Sequence, residues 1–142
     1  MRLGRLARVG MVLIGCSSLL VACNYTDTAK AQDLCTRYSR LADSVQTLLS
    51  QDPLTVKAAK IQLAAQDAQR RLDDFQAVSE GRFDTALSTV SEDVAAVKES
   101  ASRAGAKALH VARKQVKDAL KDLTKAWAVV RDLADTECGT GT

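Results

Sequence analysis

The chain has 142 residues and a formal net charge of +3, yet three of its 20 basic residues, Arg2, Arg5 and Arg8, precede Cys23 while all 17 acidic ones follow it. From Cys23 onward the side-chain charge is balanced, which argues against a basic protein built for nucleic acid. One proline, an alanine-rich 46% of hydrophobic residues and only 4% aromatics exclude a proline-rich or low-complexity chain and favour helix, because these propensities add over long windows.

The first segment places Arg2, Arg5 and Arg8 ahead of an apolar stretch from Val9 to Ala22, interrupted by Gly10, Gly15, Ser17 and Ser18. This is the layout of a signal peptide, with a charged n-region and an h-region. As a helix the stretch spans about 21 Å, short of the roughly 30 Å hydrocarbon core, and Asn24, Thr26 and Asp27 end it. A permanent transmembrane anchor is therefore not expected.

Leu20-Val21-Ala22-Cys23 closes this stretch and resembles the lipobox of bacterial lipoprotein precursors. The resemblance implies diacylglycerol on the Cys23 thiol, cleavage just before it, and a mature protein held on the extracytoplasmic face of the cell membrane. Leu13-Ile14-Gly15-Cys16 fits the same pattern. Cleavage there, however, leaves only Val9 to Gly15 as an h-region and keeps the apolar Leu19-Leu20-Val21-Ala22 on the mature chain, so Cys23 is the better choice. The expected organisation is a signal peptide over 1–22, a lipidated tether over 23–27, a helical bundle over 28–138 and a C-terminal tail over 139–142.

Asp27 or Thr28 is a suitable cap for a first helix. Its apolar stripe, Leu34, Tyr38, Leu41, Val45 and Leu48, alternates by four and three, the spacing of a helix packed along a seam. Asp52-Pro53 reads as an N-cap followed by proline at the first helical position. The second stripe is Ile61, Ala65, Ala68, Leu72 and Phe75, with Val78 near its end and Gly81 as a C-terminal stop. The third carries Phe83, Leu87, Val90, Val94, Val97, Ala101 and Ala104. Continued in that register, the pattern reaches Gln115, Asp118 and Asp122, which are unsuited to a core. A new register takes over instead, through Leu109, Ala112, Val116, Leu120, Leu123, Trp127, Val130 and Ala134. The change falls around Gly105, the weak helix former of the stretch. A turn there and a fourth helix from about Lys107 to Thr136 are expected; the alternative is three helices, the last long and bent.

Cysteine parity separates the two. With Cys16 removed and Cys23 acylated, Cys35 and Cys138 remain, and two thiols in an exported protein most simply form one disulfide. In an up-down-up-down bundle the start of the first helix and the end of the fourth lie at the same end. In a three-helix arrangement they lie at opposite ends, far beyond the roughly 5–6 Å Cα spacing that a disulfide needs. The expected fold is all-α: an antiparallel four-helix bundle closed by Cys35–Cys138.

Charge is uneven along the mature chain. Residues 24–102 hold nine basic and twelve acidic side chains, residues 103–142 eight and five. On the fourth helix Lys107, His110, Lys114, Lys117, Lys121 and Lys125 recur every three or four positions, opposite the Val116–Leu123–Val130 seam. This stripe is a candidate docking face for an envelope protein, an anionic wall polymer or lipid headgroups. The plain alternative is a solvated helix face, diluted by Asp118, Asp122 and Asp132.

Catalytic constellations are not expected. His110 is the one histidine and stands among lysines, and Asp73-Asp74 and Glu92-Asp93 are helix neighbours that point about 100° apart rather than converging. No metal site or cofactor is expected, and Trp127 on its seam reads as core. The stretch from Ala77 to Ser88, with the flanking cysteine pair, resembles small uncharacterised secreted helical-bundle proteins of actinobacteria, which implies fold and compartment and adds little on function. The expected function is a membrane-anchored, non-enzymatic interaction or scaffold lipoprotein of the cell envelope. The alternative is a carrier that opens around a lipid or other apolar molecule; alanines at seam positions Ala65, Ala68, Ala101, Ala104 and Ala112 favour close packing over a roomy cavity.

Overall fold

Each apolar stripe needs a partner, and four stripes of similar length satisfy one another by packing side by side. A computed structural model describes residues 18–104 and 109–139, with side chains given over 27–104 and 112–139. Its helices are α1 (Ser18–Leu49), α2 (Ala58–Ser79), α3 (Asp84–Ala104) and α4 (Leu109–Cys138). Consecutive helices pack antiparallel and α1 closes the ring against α4, along the thinnest of the four seams. The three-helix alternative is excluded, since α3 and α4 are separate helices packed on each other. Gly105 itself lies outside the described residues.

The core is built from the expected seams. Leu41, Val45 and Leu48 of α1, Ala65, Ala68, Leu72 and Phe75 of α2, and Leu87, Val90 and Val97 of α3 are fully buried. On α4 the second register is the one that turns inward, through Ala112, Val116, Leu120, Leu123, Trp127, Val130 and Ala134. Near the disulfide end an aromatic layer crosses the bundle. Tyr38 stacks on Trp127 with ring centroids 5.9 Å apart and lies 5.9 Å from Phe75, which in turn lies 5.4 Å from Phe83. Polar groups bind neighbouring helices at two points: the Ser44 hydroxyl donates to Asp67 Oδ2 at 2.7 Å and Gln69 Nε2 to Ser91 Oγ at 3.1 Å.

Helix ends depart from the expectation. Helix α1 is already helical at Ser18, the first described residue, rather than starting near Asp27, so residues 23–27, expected as a tether ahead of the helix, have helical backbone. Nothing from Leu19 to Thr26 is a proline or glycine, and cap-type residues such as Asp27 do not stop a helix that already runs through them. Asp52 does cap, but only one isolated turn: its Oδ1 accepts from the Leu54 N–H at 2.9 Å and its carbonyl from Thr55 and Val56 N–H. The chain then breaks, and α2 starts only at Ala58, five residues after Pro53, behind Lys57, which gives no side-chain cap. Val56, partly buried against the core, holds the chain in this detour, so packing overrides the local Asp-Pro signal. At the far end of α2 the left-handed residue is Glu80 (φ 51°) as well as Gly81 (φ 80°). Phe83 lies outside α3, which begins at Asp84, and still buries its ring in the core. Helix α4 runs two residues past Thr136 to Cys138.

Cys35 and Cys138 are bonded, with Cα atoms 5.5 Å apart across 103 positions of sequence. The disulfide thus staples the thin α1–α4 seam at one end of the bundle. Among the described residues no helix is long and apolar enough to cross a membrane.

Candidate functional site

Burial of Ala112, Val116, Leu120, Leu123 and Trp127 fixes the rotation of α4 about its axis and turns Lys114, Lys117, Lys121 and Lys125 to solvent. Lys107 and the side chain of His110 lie outside the described residues. The four described lysines are not equivalent. Lys125 Nζ pairs with Asp122 Oδ1 at 3.1 Å. It also faces Asp93 of α3, whose carboxyl is raised above its ordinary range by burial first, then by repulsion from Asp122 and Glu92, with Lys125 opposing. Lys125 therefore answers a local acidic cluster. Lys114, Lys117 and Lys121 have no ion pair among the described residues, so the unneutralised part of the stripe is the half of α4 far from the disulfide.

That half meets the α1–α2 connection. Asp52, Pro53 and Leu54 come against Arg113, Lys114 and Lys117 of α4 and line a surface cleft of about 330 Å³. The turn that Asp52 caps presents the Leu54 side chain, 64% exposed, beside the aliphatic stems of the three cations. Asp52 is the acidic residue of the lining, and its Oδ1 is occupied by the Leu54 N–H. The sequence reading missed Leu54 and Arg113. An apolar residue in a turn, off every seam, marked Leu54; nothing in the sequence marked its meeting with Arg113, which depends on how the bundle closes.

At the opposite end two further clefts open. One, about 360 Å³, runs between the start of α3 and the end of α4 under exposed Val129 and Leu133. The other, about 480 Å³, lies between α1 and the α2–α3 turn near Cys35 and is lined by Lys30, Asp33, Glu80 and Glu137 among others. Arg82 bridges the same end, donating to the Ser79 carbonyl at 3.3 Å and to Glu137 Oε2 at 3.1 Å. Among the described residues no group of three or more His, Cys, Asp and Glu side chains is placed to hold a metal ion. Cys23, the expected lipid-attachment residue, falls within α1, its side chain outside the described set. Comparison with family models, with curated proteins and with solved structures finds no match for this chain.

Proposed function

We propose that this protein is a lipoprotein of the bacterial cell envelope, lipidated and cleaved at Cys23, that acts without catalysis as an interaction module. The observation that carries the interaction half is the uneven neutralisation of the α4 stripe: Lys125 is paired, whereas Lys114, Lys117 and Lys121 have no ion pair among the described residues and stand in solvent on a helix whose other face is packed in the core. The lipobox Leu20-Val21-Ala22-Cys23 carries the anchoring half. Full burial of Ala65, Ala68, Ala101 and Ala134 at the seams supports a packed scaffold over a carrier, since small side chains bring helix axes together and leave little room for an internal ligand. Cys23→Ala tests the anchor by cell fractionation. The variant is expected in the soluble or unprocessed fraction; membrane retention of a processed chain equal to that of the parent would contradict the proposal.

A further inference from the structure

The free lysines and the Leu54 cleft coincide, and this coincidence selects the chemistry of a partner. We propose that the tip formed by the α1–α2 connection and the first half of α4 binds an acidic protein segment that inserts one aliphatic side chain beside Leu54 and lays its carboxylates along Arg113, Lys114, Lys117 and Lys121. This deepens the interaction reading above and rests on it.

Charge decides the sign of the ligand. Arg113, Lys114 and Lys117 line the cleft against Asp52 alone, whose Oδ1 is already engaged by a backbone N–H. Asp118 interleaves on the exposed side of α4, but forms no ion pair with these cations among the described residues. Size and shape decide that only part of the ligand is apolar. A surface cleft of about 330 Å³ is at the small end of ligand sites and suits one aliphatic side chain. From Lys114 to Lys121 the cations extend over about 10 Å of helix. A segment in extended conformation sets alternate carboxylates about 7 Å apart on one side and reaches both ends of that row. A simple anionic amphiphile, with a single headgroup, leaves most of it unused.

Position decides against the protein's own membrane. Helix α4 rises about 36 Å from Lys114 to Cys138, and α1 extends about 18 Å further from Cys35 back to Cys23. A bundle standing on a lipid at Cys23 carries this cleft roughly 50 Å from its attachment point, well outside the reach of headgroup fields, which decay within a Debye length of about 8 Å.

The test uses the full chain purified in a non-ionic, sugar-headgroup detergent. Two fluorescent probe peptides are titrated by anisotropy at low ionic strength: one leucine followed by four glutamates, and its twin with serine in place of leucine. The leucine peptide is expected to bind roughly tenfold tighter than its twin. Leu54→Ser, at an exposed position, should erase that difference. Lys114→Glu with Lys117→Glu should weaken both peptides by roughly tenfold or more, and added salt should do the same. Circular dichroism verifies that the variants stay folded. Equal binding of the two peptides, with the charge dependence intact, overturns the aliphatic pocket and leaves the basic docking face standing. After detergent removal, a preference for phosphatidylglycerol over phosphatidylcholine vesicles that Lys114→Glu with Lys117→Glu abolishes, with no peptide binding, overturns the protein partner and assigns the face to lipid. Binding of neither peptide, with no preference for phosphatidylglycerol over phosphatidylcholine vesicles, overturns this proposal and the docking face together, while leaving the Cys23 anchor to its own fractionation test.

Discussion

Replacing Cys35 and Cys138 by serine removes no helix and no core side chain, but it frees the ends of a loop spanning 103 positions. In the chain-entropy model, a bond closing a loop of that length stabilises by about 4.7 kcal/mol, because the cross-linked unfolded chain has fewer conformations to lose. Single domains have only about 5–15 kcal/mol in total, so the loss takes a large share of the stability. Little in the native state compensates locally. The bond lies on the thinnest helix seam, where the Tyr38–Trp127 stack is the principal aromatic contact. Urea unfolding followed by circular dichroism should show the midpoint of the Cys35→Ser/Cys138→Ser variant fall sharply. Its m-value should rise, since the uncross-linked unfolded chain exposes more surface. The melting temperature should drop by about 20 °C, at roughly 4 °C per kcal/mol for a domain of this size. Both cysteines are half-buried, so reduction of the unmodified protein should reproduce the variant. A loss below about 1 kcal/mol would refute the reasoning, because it would mean that the ends of α1 and α4 stay together in the unfolded chain without the bond.

Glu80 occupies a left-handed conformation at the end of α2, where a Cβ costs roughly 1–2 kcal/mol. Glu80→Gly should therefore be more stable than Glu80→Ala by about 1 kcal/mol in paired urea titrations, since both lose the exposed 3.9 Å contact to Lys30 equally. Asp67 is held below its ordinary value of 3.8 chiefly by the hydrogen bond from Ser44, burial opposing and Arg70 and Arg71 assisting. A carboxylate lowered in the folded state adds stability above its unfolded pKa and loses it as pH falls through the folded one, here below 3.8. Ser44→Ala should move the Asp67 titration, followed by NMR, back towards 3.8 and flatten the acid limb of the stability curve; an unmoved titration would assign the shift to the arginines.

The four helices were legible because burial imposes a period on side chains, and at Gly105 that period changes phase. One register leads to Gln115, Asp118 and Asp122 and the other to Val116, Leu123 and Trp127, and the parity of Cys35 and Cys138, the pair left once Cys16 and Cys23 are set aside, agreed independently with four helices. Helix ends were less legible, because caps are local and packing is not. Asp52-Pro53 does start a helical turn, yet the anchoring of Val56 in the core ends it before α2 begins. Exposure of the α4 lysines followed from the same periodicity. Their unequal neutralisation did not, since Lys125 answers a carboxyl cluster assembled from two helices, Asp122 of α4 and Glu92-Asp93 of α3. The tip cleft was the least legible part: Leu54 and Arg113 are far apart in sequence and meet only after the ring of helices closes.

The intact mass of the protein extracted from its own membranes tests the anchored interaction module most directly. A chain beginning at Cys23, carrying a diacylglycerol adduct and lacking two hydrogens for the Cys35–Cys138 bond, is the predicted species. An unlipidated chain, or one beginning at another residue, would contradict the anchor on which the proposed function depends.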